Sequence, residues 1–374
     1  MIRHVLDGRA LQDRSSFRGI GTYVRGLLAG FRAAGVTADI GLLLERGAPI
    51  PPEVADAGVE VHPHRLRRVN RHLRPIVDPL QIGWALRVDP PELYHAVEYA
   101  QPLLPRIPVV LTVHDLIPFV MAEQYPWMRR ERWLAMHQFR HADAVIAVSR
   151  STASDLQRIA GVNPGRITVI HEGVAPTHVL SEEQKADVRN RLRVPGRFVL
   201  AVGTFDPRKR IGMLTAVVRR LREHHDISLV IAGFQGAFAG AVDSSVRAAG
   251  LDAVTRILGH VSGEDLNALY QMSECLLFTS AYEGFGLPPL EAMSAGTAVA
   301  AFDNSSLPEV LDGAGLLIRD GDVQAMADAV SAVLGDAQTR ARLVELGHKR
   351  ASQLTWARSA EKTLSVYAHV LARR

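Results

Sequence analysis

The sequence predicts an α/β protein made of two doubly wound parallel-sheet domains. Three observations carry that expectation. The chain has 374 residues, 47% hydrophobic and 22% charged, enough apolar content to offset the ordering entropy of two cores at about 150 residues per domain. Short apolar runs alternate with amphipathic stretches along the whole length, the pattern of strand, helix and strand joined by right-handed crossovers. The single cysteine, Cys275, lies in the apolar run Cys275-Leu276-Leu277-Phe278, so an internal disulfide or a zinc site of several thiolates is excluded.

In the first domain, placed over residues 1–176, strands are expected at 2–6, 39–44, 59–61, 93–96, 109–113, 144–148 and 167–170. Helices are expected after Gly21 and over 78–86, 126–141 and 151–159, the last capped by Ser149 or Ser151. A second series, assigned to 177–355, starts after the polar stretch SEEQKADVRNRLRVPG. Its strands are expected at 198–202, 228–232, 256–258, 275–278, 298–301 and 315–318. Ser262-x-x-Asp265 opens one of its helices, and Pro288-Pro289 opens another that Gly296 closes. The tail 354–374 reads as one helix, with Trp356, Ala360, Leu364, Tyr367 and Leu371 at three- or four-residue spacing. Two such domains facing each other would form a cleft, with ligands outside the carboxyl ends of the strands.

The formal charge is +4. It belongs entirely to the first half, because residues 1–176 hold 21 Arg against 17 Asp and Glu, and the rest hold 22 Lys and Arg against 22 acids. Part of the excess lies in HPHRLRRVNRHLR (62–74), with five arginines and three histidines. Together with PWMRRERW (126–133), whose Trp127 and Trp133 suit a membrane interface, this run is expected to form a basic acceptor-side surface able to meet anionic head groups. A solvated loop is the plainer reading. The opening residues lack the apolar core of a secretion signal, and no apolar run reaches the ~20 residues of a membrane span; a cytoplasmic protein is expected.

The segment EGFGLPPLE (283–291) is the most informative. It places Glu283 in a strand-to-helix loop and Glu291 a turn into the helix, with the amides of Phe285, Gly286 and Leu287 at the helix start, where an anion is favoured. That arrangement suits a polar ligand that also carries phosphate, the carboxylates accepting from hydroxyls; two exposed acids near a helix N-terminus, favoured there by the dipole, are the plainer reading. In VGTFDPRKR (202–210), Arg208, Lys209 and Arg210 follow a strand end, an electrostatically awkward group unless an anion occupies the site, the alternative being a solvated basic turn. Lys209 is one of only four lysines. RGIGTYVRGLL sets Gly19 and Gly21 before an apolar helix, but it lacks the third glycine and the acid of a dinucleotide fingerprint. The strand PVVLTVHDLIP ends in His114-Asp115, a polar pair at the mouth of a parallel sheet. His137 and His141 lie one helical turn apart beside Arg140 without a visible third ligand. No P-loop, HExxH or GxSxG segment is present.

These segments resemble the retaining, nucleotide-sugar-dependent glycosyltransferases of family four, which have the two-domain GT-B fold. The likeness runs from RGIGTY through VHDLIP, AVSRSTASDL, HEGV, VGTFDPRKR and LGHVS to FTSAYEGFGLPPLEAMSAGTAVAAFDNSSLPEV and the last helix. The resemblance implies that Glu291 binds the donor ribose and Glu283 the hydroxyls of the transferred sugar. It implies that Arg208 and Lys209 neutralise the departing diphosphate, helped by the amides of Gly21 and of Phe285, Gly286 and Leu287. It further implies that His114 contacts the sugar, that the backbone around Val261 meets the base, and that helix 356–374 completes the first domain. Many members carry Arg where this chain has Thr204, which shifts phosphate neutralisation toward Arg208 and Lys209.

The expected activity is therefore hexosyl transfer with retention from a nucleotide sugar to a hydroxyl of a glycan, lipid-linked or small-molecule acceptor, without cofactor or metal. The branch resembled is rich in mannosyltransferases, so GDP-mannose is the favoured donor and UDP-glucose or a deoxysugar donor the alternative. Outside transferases, a sugar-nucleotide epimerase stays open. A pyridoxal-phosphate phosphorylase lacks a Schiff-base lysine in the first domain, and a nucleic-acid binder lacks a recognition motif.

Overall fold

The computed structural model describes residues 3–17, 19–62, 65–69, 73–98, 101–102, 105–233 and 238–373. The chain divides into two compact units, Met1–Gly173 with Leu354–Arg374, and Val174–Gln353.

The first unit is built on β1 (His4–Asp7), β2 (Ile40–Leu43), a short β3 (Glu45–Arg46), β4 (Glu60–Val61), β5 (Leu66–Arg67), β6 (Leu93–Ala96), β7 (Val109–Val113), β8 (Ala144–Ala147) and β9 (Ile167–Val169). Seven of these form one parallel sheet in the order β4-β2-β1-β6-β7-β8-β9. β6, β7 and β8 are buried along their whole length, which is why they read as unbroken apolar runs: helices cover both faces of such a sheet. β3 and β5 pair separately, a small ribbon whose two-residue strands leave no periodic signal. Ser149 caps the helix Arg150–Arg158 by accepting from the Thr152 amide, as the first of the two serine options required.

The first long helix runs Gly19–Ala33, so Gly19 and Gly21 lie in its first turn and not in a turn before it. A Cβ on Gly21 would stand 2.5 Å from the Ser15 carbonyl oxygen; glycine is needed there for close backbone packing. Gly26 and Gly30 serve the last helix, Trp356–Ala372, in the same way. A Cβ at Gly26 would be 2.1 Å from the Trp356 ring, and one at Gly30 2.4 Å from the Trp356 carbonyl oxygen. Two small residues one helical turn apart let the helices meet closely, and the last helix thereby belongs to the first unit.

The second unit has β10 (Phe198–Val202), β11 (Ser228–Ala232), β12 (Thr255–Gly259), β13 (Cys275–Phe278), β14 (Val299–Asp303) and β15 (Leu316–Arg319), parallel in the order β12-β11-β10-β13-β14-β15. The order reverses between β10 and β13, the topological switch point at which ligands bind in doubly wound sheets. The polar stretch before β10 is itself helical, Glu182–Leu192, opened by a capping box of Ser181 and Gln184. Cys275 is fully buried and its thiol is pushed up to about 12 by burial, a packing residue.

Of the expected basic surface, residues 63, 64 and 70–72 and the side chains of Trp127 and Trp133 lie outside the described residues. His137 and His141 stack at 3.9 Å, and among the described residues no three His, Cys, Asp or Glu side chains are grouped to hold a metal ion. No described helix is long and apolar enough to cross a membrane.

Candidate active site

In the second unit, the chain leaving β10 and the chain leaving β13 meet at the switch point. Asp206-Pro207 starts a single 3-10 turn, Pro207–Lys209, which carries Arg208 and Lys209 toward the loop after β13. There Glu283 accepts from Arg208 Nη1 at 2.5 Å and from Lys209 Nζ at 2.6 Å. Gly203, with φ of 145°, makes this possible, because a Cβ there would lie 2.9 Å from Lys209 Cε. The Lys209 ammonium also stands 4.3 Å over the Phe278 ring, a favourable placement for a cation.

Burial dominates the Lys209 amine and brings it down to about 8 against the pull of Glu283. For Glu283, burial pushes the carboxyl up, but Arg208 and Lys209 together outweigh it and hold the group at about 2. Arg208 Nε also lies 3.3 Å from Asp206 Oδ2, and Arg210 makes a bidentate pair with Asp320 at 2.6 and 3.2 Å. The inference that these adjacent cations require an external anion is therefore corrected: Asp206, Glu283 and Asp320 supply the compensating charge from within the chain.

The helix Leu287–Ser294 begins at Gly286, whose φ of 113° demands glycine. Pro288 and Pro289 have no amide hydrogen, so the donors at this helix start are concentrated on Gly286 and Leu287, and neither amide donates to another described residue. The Phe285 carbonyl accepts from Ser306 Oγ at 2.5 Å, and the Glu283 amide donates to Ser305 Oγ at 2.9 Å, which fixes the loop. Glu291, in the second turn, accepts from the Tyr270 hydroxyl at 2.9 Å. Thr204 lies between Gly203 and this cluster, its carbonyl accepting from the Asp206 amide at 2.9 Å. Val261 precedes Ser262, the N-cap of Gly263–Met272.

His114 and Gly21 belong to the first unit. His114 follows β7, with Nδ1 3.1 Å from Glu172 Oε1 and its ring edge-on to Tyr23 at 4.8 Å. Its Nε2 is buried without a hydrogen-bond partner among the described residues. Asp115, the other half of the polar pair, accepts from the Ile117 amide at 2.9 Å and so shapes the following turn. Beneath His114 runs a neutral chain: Tyr23 Oη to Thr112 Oγ1 at 3.0 Å, Thr112 Oγ1 to His95 Nε2 at 2.7 Å, and His95 Nδ1 to the Tyr367 hydroxyl at 2.6 Å. Burial drops His95 to about 3, so its ring is neutral and one nitrogen accepts.

Glu172, Tyr270 and Asp206 also belong to these sites, and none is among the residues expected from the sequence. Glu172 had a usable signal: an acid in the loop at the carboxyl end of β9, inside HEGV. Tyr270 had none, since its partner Glu291 is reached only through the packing of two helices.

A parallel sheet whose switch point gathers two cations, a carboxylate and two open helix amides has the chemistry to hold a phosphorylated, hydroxyl-bearing ligand. The sequence matches two glycosyltransferase models, "Glycosyltransferase Family 4" over residues 17–178 and "Glycosyl transferases group 1" over 182–350. The O-antigen chain mannosyltransferase B of Escherichia coli is 29% identical over 302 residues, 78% of each chain. The alpha-maltose-1-phosphate synthase of Mycobacterium tuberculosis is 31% identical over 299 residues, 71% of this chain and 74% of that one. The serotype-specific mannosyltransferase WbdA of Escherichia coli is 27% identical over 281 residues, and the matched part is 70% of this chain and 33% of WbdA; the chain thus spans about a third of that relative. Among solved structures, a sucrose-phosphate synthase from Thermosynechococcus elongatus superposes with a TM-score of 0.81 at 22% identity, covering 100% of both chains. Anabaena HepE in complex with UDP-glucose gives 0.77 at 17% identity, covering 98% and 100%. The chain belongs to the family four glycosyltransferases and has the GT-B fold, and it is a glycosyltransferase enzyme.

Proposed function

We propose that this glycosyltransferase moves a hexosyl group, mannose from GDP-mannose in the first instance, to a hydroxyl of a glycan, lipid-linked or small-molecule acceptor, with retention and without a divalent metal, in the cytoplasm. The observation that carries the reading is the Arg208–Lys209–Glu283 cluster beside the open amides of Gly286 and Leu287. As the glycosidic bond breaks, the sugar becomes oxocarbenium-like and charge collects on the diphosphate; fixed cations and amides aimed at that charge lower the barrier. Without donor, Glu283 occupies both cations. A bound diphosphate takes Arg208 and Lys209, which releases the Glu283 carboxylate to accept from sugar hydroxyls. Because Arg, Lys and amides then neutralise the leaving group, a metal has no necessary task.

Glu291 is assigned to the ribose, oriented by Tyr270, and the backbone at Val261 to the base; Thr204 lines the phosphate side. His114 is assigned to the transferred sugar, and Gly21 to an amide contact from the start of its helix. Mannose is favoured by the relatives named as mannosyltransferases.

The test is a donor panel of GDP-mannose, UDP-glucose and dTDP-deoxysugars, with product anomers read by NMR and parallel reactions in EDTA. Turnover with GDP-mannose, an axial product linkage as in the donor, and activity surviving chelation are expected. Preference for another donor, inversion, or strict metal dependence would each overturn the corresponding part. Glu291→Ala is expected mainly to weaken nucleotide binding and Glu283→Ala mainly to lower kcat.

A further inference from the structure

The helix Arg74–Val88 is apolar on two opposite sides, and its own unit covers only one. The inward side buries Ile82, Ala85 and Leu86 and is pinned by Asp78, which accepts from the buried Arg9 at 2.5 Å. The outward side presents Ile76, Leu80, Trp84 and Val88, with Leu73 just before it, at 44, 56, 59, 50 and 53% exposure. At 3.6 residues per turn these five fall within an arc of about 120° on one stripe roughly 22 Å long. Five of the nine large exposed hydrophobics among the described residues lie here, so this is a concentrated patch and not scattered surface. A contiguous exposed apolar stripe of this kind marks an interaction surface.

The rim of the stripe says which partner. β5 lies along the helix, clamped where the Arg67 amide donates to Gln81 Oε1 at 2.7 Å and Gln81 Nε2 donates to the Arg67 carbonyl at 3.1 Å. That clamp holds exposed Arg67 and Arg68 beside the stripe, and Arg46 stands directly opposite Arg67 across the β3–β5 pair. Arg87 is exposed on the helix itself between Trp84 and Val88. Among the described acids nearby, Glu45 is buried and engaged by Arg74 and Arg68, Asp13 is paired with Arg74 at 3.3 Å, and Asp89 lies 3.9 Å from His62 Nε2 at the far end of the helix. In a symmetric pairing of two copies through this face, the same arginines would approach one another; an anionic bilayer satisfies both the apolar stripe and its cationic flank.

We propose that this face, Leu73, Ile76, Leu80, Trp84 and Val88 flanked by Arg46, Arg67, Arg68 and Arg87, docks the chain in the interface of an anionic lipid bilayer, with the helix lying in the membrane plane. The proposal stands apart from the donor and reaction assigned above, and its test uses no turnover.

The experiment is flotation of the full chain with vesicles of phosphatidylcholine containing 30 mol% phosphatidylglycerol, and with pure phosphatidylcholine, at low salt and at 0.5 M NaCl. The wild type is expected to float with the anionic vesicles at low salt, with binding weakened at least tenfold by salt or by neutral lipid. Leu80→Glu with Trp84→Glu is expected to reduce binding at least tenfold, and Arg46→Ser with Arg67→Ser and Arg68→Ser to reduce it and flatten its salt dependence. All five positions are exposed, and an unchanged melting temperature checks that each variant is folded; should Leu80→Glu with Trp84→Glu melt early, Leu80→Ser with Trp84→Ser takes its place. Absence of wild-type binding to anionic vesicles, or binding unchanged by the Leu80 and Trp84 substitutions, overturns the proposal. So does a wild-type dimer in light scattering that those substitutions convert to monomer, since a second copy would then be the occupant.

Discussion

The polar groups around Glu283 in the second unit and those around His114 in the first are of opposite character, although the first unit also buries a compensated Arg9–Asp7–Asp78 cluster at the end of β1. In the second unit the groups at the carboxyl end of the sheet are charged and compensate one another: Arg208 and Lys209 on Glu283, Arg210 on Asp320. In the first, His114 leans on a single carboxylate, Glu172, above a neutral chain of Tyr23, Thr112, His95 and Tyr367. On the proposed reading, a ligand's diphosphate replaces Glu283 on the same two cations, and the displaced carboxylate then depends on hydrogen bonds from sugar hydroxyls. A neutral chain offers no such exchange, but it holds one ring in one orientation. On the proposed function, that difference amounts to a division of labour, with charge stabilisation assigned to the second unit and orientation to the first.

The largest effect that would break this comparison is expected at Arg208. Arg208→Ala removes the donor assigned above to the leaving group and should cost about 3–4 kcal/mol of transition-state stabilisation, a several-hundredfold loss in kcat. Steady-state kinetics with the preferred donor check it; a loss confined to KM would mean that the cation serves ground-state binding only.

A smaller effect sharpens the first unit's role. Glu172→Gln keeps the shape but removes the charge that His114 Nδ1–H donates to, a bond worth about 1.5–3 kcal/mol. A fall in kcat of that size is expected, with a shift of the His114 ring nitrogens in 15N spectra toward a mixture of tautomers. An unchanged ring spectrum would show that Glu172 does not orient His114.

The smallest effect is on stability. Glu98, after β6, is pushed up to about 7, chiefly by burial, with Arg9 opposing. A carboxyl raised in the folded state contributes stability present at low pH and lost as pH rises through that value. Wild type should therefore gain less, or lose more, melting temperature than Glu98→Gln on going from pH 6 to pH 8. Glu283, held at about 2, has the opposite sign: its contribution is present above pH 4.5 and is lost as pH falls toward 2, so it does not confuse the measurement.

The same contrast explains what the sequence reveals. Fully buried parallel strands read as apolar runs, so 93–96, 109–113, 198–202, 228–232 and 275–278 emerge with the bounds the structure shows. The two stretches of the second unit's site, VGTFDPRKR and EGFGLPPLE, are each continuous in sequence, and their residue types announce charge. Their mutual neutralisation was hidden, because it depends on β10 and β13 being neighbours. In the first unit, His95 and Tyr367 lie 272 positions apart, and Glu172 reaches His114 only through the alignment of β7 with β9; spacing alone says nothing of either contact. The outward stripe of Arg74–Val88 was hidden for another reason, since a helix apolar on both sides reads simply as core.

The most direct test of the division between the units is a calorimetric titration of GDP into the wild type, Lys209→Met and His114→Ala. If the second unit holds the diphosphate through its cations and the first orients the sugar, Lys209→Met weakens GDP at least thirtyfold and His114→Ala changes it less than twofold, about 2 kcal/mol against less than 0.5. Equal affinity in wild type and Lys209→Met, or a large loss in His114→Ala, would contradict the account.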